Sequence, residues 1–245
     1  MSWWLSYFGE LYLRMFGAMV TPEQTVQEVA GTLSFLDLAP EARILDLACG
    51  QGRHAVPFAR LGFRVVGLDR STYLLAQAQE RAAEVEAEVH WVQGDMRRLP
   101  WGEQFDACVS LFTAFGYFAE EAQNQQVLEE VCRVLKAGGQ FLLDVPNRDY
   151  YLLRILPYSW RRHEGAVILE ETTFDPVTCR FKTDFTWVKE GRTETLSHSV
   201  RHYTVPELNG MLQRAGMVPT ALYGDFDGRP LDLDSRRLIV VATKP

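Results

Sequence analysis

The chain has 245 residues, 47% of them apolar and 23% charged, and a formal net charge of −7. That length supports a sizeable core and fits one elaborated domain better than two. The acidic balance, with Lys and Arg never clustered beyond short pairs, disfavours a face that neutralises nucleic-acid phosphates, and no run approaches the roughly 18 apolar residues of a membrane span.

The first segment, MSWWLSYFGELYLRMFGAMV, is rich in aromatics but has no basic n-region and carries Glu10 and Arg14 inside, so it does not read as a signal peptide. Thr21-Pro22-Glu23-Gln24 combines a Thr cap, Pro at the first helical position and a Gln that closes a capping box. It predicts a helix through Val26, Val29, Leu33 and Leu36 to about Leu38. RILDLA is a short apolar strand, followed by a glycine turn, a helix from about Arg53 to Leu61, and the strand FRVVGLD. Ser71 is placed to cap a helix with Leu74, Leu75, Ala78 and Ala82 on one face. AEVHWVQGD and FDACVSLF read as strands three and four; Val127, Val131, Val134 and Leu135 mark a helix ending before Gly138-Gly139; QFLLDV is strand five.

Alternating strands and helices imply right-handed crossovers and a doubly wound α/β fold, with ligands at the carboxyl ends of the strands. After strand five the rhythm changes. AVILEETTFD, RFKTDFTWVKE and TETLSHSVRHYT, parted by turn residues, predict an antiparallel β insertion over 160–203. Thr204-Val205-Pro206-Glu207 is a second capping box, opening a helix that Gly216 closes, and VPTALYGDF pairs with RRLIVVATK at the sheet edge. The expectation is a single domain, 1–245, whose seven-stranded, mostly parallel sheet carries that insertion. Cys49, Cys108, Cys132 and Cys179 form no C-x-x-C pair and read as reduced thiols, which suits the cytoplasm.

The chemistry concentrates in ARILDLACGQGRHA, residues 42–55. Gly50 and Gly52 let the backbone pass close beneath a ligand, and the following helix aims free N–H groups at it. Any nucleoside cofactor fits that much. Asp46 discriminates: a carboxylate there repels a pyrophosphate but suits an ammonium or sulfonium, and S-adenosylmethionine carries both and no phosphate. Asp69, ending strand two, is placed for two ribose hydroxyls. Gly94-Asp95-Met96 ends strand three, where Asp95 can accept from an adenine amine against the polarizable wall of Met96.

ILDLACGQGRHA, VVGLDRS, VQGDMRRLP, FDACVSLFTAFGYF and VLKAGGQFLLDVPN resemble the ordered motifs of the class I S-adenosylmethionine-dependent methyltransferases, and more narrowly a bacterial small-molecule group. RHYTVPEL and YGDFDGRPLDLDSRRLIVVA extend the resemblance over nearly the whole chain. Ala48 stands where the commoner D-x-G-x-G-x-G form has its first glycine, a departure this group tolerates. The resemblance implies that Asp46, Ala48, Gly50 and Gly52 line the methionine part of the cofactor and Asp69 with Arg70 the ribose. Asp95, Met96 and Arg97 then flank adenine, with Leu111 and Phe112 beneath the cofactor. It also implies a helical lid over 1–40, with Tyr7 and Tyr12 closing over the methionine end.

The expected reaction is in-line transfer of a methyl group to a small-molecule N or O nucleophile, leaving S-adenosylhomocysteine. Candidate acceptor contacts are Phe115, Tyr117 and Asn147, with Trp160, Trp187, Arg201 and Tyr203 from the insertion and its exit. Ser110-Leu111-Phe112-Thr113 stands where nucleobase amino methyltransferases carry Asn/Asp-Pro-Pro-aromatic, which argues against such acceptors. No metal site is expected: His198 and His202 share a predicted face without further ligands. His54 reads as a packing residue. Two rivals remain at this stage, a nicotinamide-dependent oxidoreductase and a non-catalytic module that only binds S-adenosylmethionine. The expected assembly is a monomer or homodimer, with no membrane partner.

Overall fold

The computed structural model describes residues 2–245. The N-terminal segment forms two short helices, α1 (Trp4–Tyr7) and α2 (Glu10–Phe16), and a 3-10 turn over Gly17–Met19. Helix α3 (Pro22–Phe35) begins as predicted, with Thr21 Oγ1 accepting from Gln24 N–H and the Gln24 side chain accepting from Thr21 N–H. The α/β unit follows: β1 (Arg43–Leu47), α4 (Ala55–Arg60), β2 (Arg64–Asp69), α5 (Thr72–Glu84), β3 (Val89–Gln93), β4 (Phe105–Ser110), α6 (Glu121–Val134) and β5 (Leu135–Pro146). The strand begins at Leu135, which the apolar spacing assigned to the preceding helix. After α7 (Arg148–Leu153) come β6 (Tyr158–His163), β7 (Ala166–Asp175), β8 (Arg180–Lys189) and β9 (Arg192–Arg201), then α8 (Val205–Arg214), β10 (Val218–Tyr223) and β11 (Arg237–Thr243).

Seven strands form one sheet in the order β10-β11-β5-β4-β1-β2-β3, all running the same way except β11, which pairs antiparallel with both β5 and β10. Successive residues of each strand enter opposite cores. Leu45, Cys108 and Phe141 pack with Leu128 and Val131 of α6 and Leu208 and Leu212 of α8. Ile44, Ala107 and Leu142 pack with Val29 of α3 and Phe58 of α4. The strand order reverses between β1 and β4, which leaves a crevice at their carboxyl ends.

The insertion has four strands, β6-β7-β8-β9, where the alternation indicated three. The missed edge strand, YSWRRH, turns Ser159, Arg161 and His163 inward rather than apolar residues. Arg161 is accommodated because it pairs with Glu170 and donates to the Met15 carbonyl at 3.0 Å. The inner face of this sheet buries Ile168, Phe185 and Trp187 against Met15, Leu11 and Phe16. The N-terminal segment is therefore the filling between insertion and sheet, with the Tyr7 hydroxyl hydrogen-bonded to His198 Nδ1 at 3.0 Å and Arg14 paired to Glu194 at 2.6 Å.

Gly31, inside α3, faces the turn after β10, and a Cβ there would sit 2.2 Å from the Phe226 carbonyl oxygen. Intrinsic propensity favours Ala over Gly in a helix by about 1 kcal/mol, but backbone cannot step aside cheaply. Gly31→Ala is expected to destabilise the protein by about 1–3 kcal/mol in urea unfolding; a neutral or stabilising result would contradict this packing.

Candidate functional site

The crevice holds a cavity of about 550 Å³, within the range of about 300–1,000 Å³ for small-molecule sites. Its floor is built from strand ends: Asp46, Ala48 and Gly50 after β1, Asp69 and Arg70 after β2, Asp95 and Met96 after β3, Leu111 and Phe112 after β4. Its roof is aromatic, with Trp4, Phe8, Tyr12 and Phe16 of the N-terminal segment. The glycine turn has left-handed backbone at Ala48, Gly50 and Gly52 (φ 59, 56 and 72°). A Cβ on Gly50 would meet only Leu74 at 3.9 Å, so that position stays open to a ligand. One on Gly52 would strike the Trp91 ring at 2.7 Å and Ala78 Cβ at 3.1 Å. Gly52 thus serves helix–strand packing, and not the close ligand approach expected from the sequence.

The three acidic residues differ in what they already hold. Asp69 accepts from the Gly50 N–H at 2.8 Å and the Ser71 N–H at 2.7 Å, so it shapes the turn as well as facing the cavity. Burial raises its carboxyl above the usual range, against those backbone bonds. Asp95 is bound bidentately by Arg97 and reached by Arg70 at 3.4 Å. Asp46 is only 2% exposed, and its Oδ2 has no hydrogen-bond partner. Burial and the neighbouring Asp69 push its carboxyl up to about 7, while Arg53 and the Ala55 N–H pull the other way. A carboxyl in this state stays protonated into the neutral range unless a positive charge is brought beside it.

Beside Asp46 lies a buried charge network that sequence reasoning did not find. Glu28 of α3 pairs with Arg53, with His54 at 2.8 Å and with Arg237 of β11. Arg237 reaches Asp144 of β5 at 2.6 Å, and Asp144 accepts from the Phe112 N–H at 2.9 Å. Burial raises the Glu28 carboxyl, but the His54 hydrogen bond and the two arginines outweigh it and hold it at about 2. Burial and the two arginines press His54 down to about 4 against the pull of Glu28, so near neutrality it is an uncharged ring donating Nε2–H to a carboxylate. Arg53 also lies over the Phe112 ring, 4.9 Å from its centroid, and its Nη2 is buried without a partner. Phe112 and Thr113 both hold left-handed backbone (φ 59 and 64°) at the cavity rim, strain of a kind that concentrates at functional sites. The RH after the glycines was the available signal; no spacing rule ties it to Glu28, 25 residues upstream.

Of the residues singled out from the sequence, the cavity gathers Tyr12, Asp46, Ala48, Gly50, Asp69, Arg70, Asp95, Met96, Leu111, Phe112 and Tyr117, and also His54, which had read as packing. Tyr7 is buried behind the roof against His198, and Arg97 stacks under Trp4 and Phe118 while it holds Asp95. Six acceptor candidates stand outside the cavity. Phe115 packs on Tyr203, whose hydroxyl donates to Glu121 at 3.0 Å. Arg201 pairs with Glu121 and Glu207. Asn147 caps α7 and donates to the Asp232 and Ser235 carbonyls. Trp160 is on the outer edge strand, 64% exposed. Trp187 packs under Arg14. His202 lies past the end of β9, stacked on Phe181. Among the described residues no group of three or more His, Cys, Asp or Glu could hold a metal, and no helix is long and apolar enough to cross a membrane.

Comparison with known proteins places this geometry. Residues 44–139 match the methyltransferase domain family. A protein of Geobacillus sp. (strain WCH70) named as a methyltransferase is 38% identical over 220 residues, covering 82% of this chain and 84% of its own. The cypemycin N-terminal methyltransferase of Streptomyces sp is 27% identical over 204 residues, 81% of each chain. The structure of the CcbJ methyltransferase from Streptomyces caelestis superposes with a TM-score of 0.80 at 24% identity over 88% of each chain. The chain belongs to the class I S-adenosylmethionine-dependent methyltransferases. Its cofactor is S-adenosylmethionine, which removes the oxidoreductase reading, and its membership among methyltransferase enzymes removes the binding-module reading. The residues fit that cofactor: the unpartnered Asp46 carboxylate suits its positive charge, and the open face of Gly50 leaves room above the turn.

A carboxyl raised to about 7 in the native state, against an ordinary 3.8, binds its proton more tightly folded than unfolded. Its contribution is therefore neutral below about pH 4 and increasingly destabilising up to about pH 7. Asp46→Asn is expected to raise the Tm of the ligand-free protein at pH 8, leave it little changed near pH 4, and weaken S-adenosylmethionine binding. In the native sequence, affinity measured by calorimetry should be level above about pH 7 and fall about tenfold per unit below it, with proton release on binding. A flat profile from pH 5 to 8 would contradict an unpartnered Asp46.

Proposed function

We propose that this methyltransferase acts on a small molecule and methylates a nitrogen or oxygen nucleophile, with an amine favoured. The single observation that carries the reading is the cavity itself, an aromatic-roofed pocket over strand ends that bear an unpartnered carboxylate. When bound, S-adenosylmethionine supplies a methyl group on a sulfonium, an electrophile whose leaving group is already activated. The protein's work is then positioning and exclusion of water. Asp46 holds the positive charge of the methionine end. Asp69, fixed by two backbone N–H groups, receives ribose hydroxyls with Arg70 beside it. Asp95, Met96 and Arg97 flank the base, while Leu111 and Phe112 form the floor. Tyr12 covers the methionine end, with Tyr7 bracing it from behind at 5.6 Å between ring centroids. Tyr117, in the cavity wall, is the acceptor contact that the geometry supports best.

The preference for an amine follows from the titrating groups. Burial raises Tyr12 to about 12 and raises Tyr117 as well, and His54 sits at about 4. None of these is poised to take a proton from a hydroxyl near neutrality, and Asp46, the one group raised to about 7, is on this reading engaged by the methionine end of the cofactor. An amine that arrives uncharged attacks without such a base, and aromatic faces favour the cation that results. The names of relatives agree with this class, among them the cypemycin N-terminal methyltransferase and the sugar N-methyltransferase KedS8 from Streptoalloteichus.

Thermal unfolding with S-adenosylmethionine or S-adenosylhomocysteine at about 100 times Kd should show about 2.7 kcal/mol of stabilisation, and NAD or NADP none. Asp69→Ala should weaken S-adenosylhomocysteine by an order of magnitude or more, because charge-assisted hydrogen bonds contribute about 1.5–3 kcal/mol; unchanged affinity would remove the ribose assignment. In a panel of amines, phenols and carboxylic acids followed by S-adenosylhomocysteine release, turnover is expected with amines. Turnover confined to phenols or acids would overturn the preference.

A further inference from the structure

Strand β6 is the open edge of the four-stranded insertion, and half of its backbone groups face away from the sheet. The Thr172 N–H donates to the Pro157 carbonyl, and β6 pairs with β7 in unbroken antiparallel register from Tyr158–Glu171 to His163–Ala166. Hydrogen bonds in such a ladder fall on every second residue. Ser159, Arg161 and His163 therefore bond to β7, while the N–H and C=O groups of Tyr158, Trp160 and Arg162 point outward. The side chains of those same three residues stand exposed on the outer face, where Trp160 lies beside Leu169. Leu153, Leu156, Tyr158, Trp160 and Leu169 are between 46% and 75% exposed. At about 150–250 Å² per large side chain they leave about 600 Å² of largely apolar surface in water. A stable dimer takes about 800 Å² from each partner. Edges that stay unpaired are usually blunted by Lys, Pro, a bulge or an inward charge. Within its six residues β6 has no Lys, Pro or bulge, and its inward Arg161 is neutralised by Glu170.

We propose that β6 pairs with β6 of a second copy of this chain, antiparallel about a two-fold axis at Trp160, so that the two insertions join into one continuous sheet. The edge is self-complementary in that register. Trp160 meets Trp160 of the second copy, and Tyr158 meets its Arg162, each pair exchanging both backbone hydrogen bonds. Any other register leaves one of the three outward residues without a strand partner. Arg162 makes no salt bridge among the described residues, so its guanidinium is free to lie on the opposing Tyr158 ring. The contact also bears on the cavity. Arg161, on the same strand, donates to the Met15 carbonyl and lies over the ring of Phe16, which is part of the cavity roof. The strand fixed by the second copy is thus the one that braces that roof.

Sedimentation equilibrium of the whole chain tests this, and the unaltered protein is expected at the mass of two chains at micromolar concentration. Tyr158→Arg sets like charges opposite each other on both sides of the axis and should weaken association by about tenfold or more. Adding Arg162→Glu to that variant makes the pairs opposite in sign and should restore association to within about threefold. Both positions are exposed, and circular dichroism and Tm check that the variants fold. Hydrogen exchange of the unaltered chain gives a reading without substitution: amides in 157–163 should slow as concentration rises. A single-chain mass throughout, an association that Tyr158→Arg leaves unchanged, or exchange in 157–163 independent of concentration would each overturn the proposal. Failure of Arg162→Glu to restore association would overturn the register. A single chain that sediments with phosphatidylglycerol vesicles, and no longer does so after Trp160→Ser, would assign the patch to a lipid surface instead.

Discussion

Glu28 is the residue on which the geometry of the cavity turns. Its carboxylate, 5% exposed, sits among Arg53, His54 and Arg237 and ties α3 to the glycine turn and to β11. Through Arg237 the same network reaches Asp144 on β5 and, from there, the backbone of Phe112. Two arginines, two carboxylates and a neutral histidine balance one another in a space nearly closed to water. Removal of any one charge would strand its partner, the costly way to break a buried pair. The network therefore couples the glycine turn to the strained Phe112–Thr113 corner, whose Phe112 lines the cavity.

The antiparallel insertion acts on the other side of the cavity. Its inner face supplies Ile168, Phe185 and Trp187 for Met15, Leu11 and Phe16, which gives the N-terminal segment a core of its own. Arg180 of β8 donates to the carbonyls of Gly116, Tyr117 and Phe118, between 3.0 and 3.2 Å, and so fastens the loop that carries Tyr117. Gly116 is required there: its φ is +87°, and a Cβ would lie 2.4 Å from the Arg201 carbonyl oxygen. The roof and the Tyr117 side of the cavity are thus both attached to the insertion, while its floor belongs to the seven-stranded sheet.

The parts legible in the sequence are those whose signal is local. Periodicity placed β1 to β5, and both capping boxes lie where Thr21 and Thr204 indicated. Edge strand β6 escaped because its inward positions are polar, and only Glu170 and the Met15 carbonyl make Arg161 acceptable there. Most of the acceptor candidates were aromatic or polar residues near the right strand ends. The fold assigns them to other duties: Tyr203 to the α6–insertion contact through Glu121, Asn147 to the cap of α7.

By itself the sequence determined the order of strands and helices, the glycine turn, and the acidic residue at the end of each of the first three strands, because backbone sterics and apolar periodicity act over a few neighbours. The tertiary structure alone decided which side chains share the cavity and what charge they carry there. Whether Asp46 titrates near 4 or near 7, and whether His54 is a cation or a neutral ring, depends on burial and on partners from α3, β5 and β11. Those partners are distant in the chain, and the low-dielectric space that gives them their strength exists only once the layers have closed.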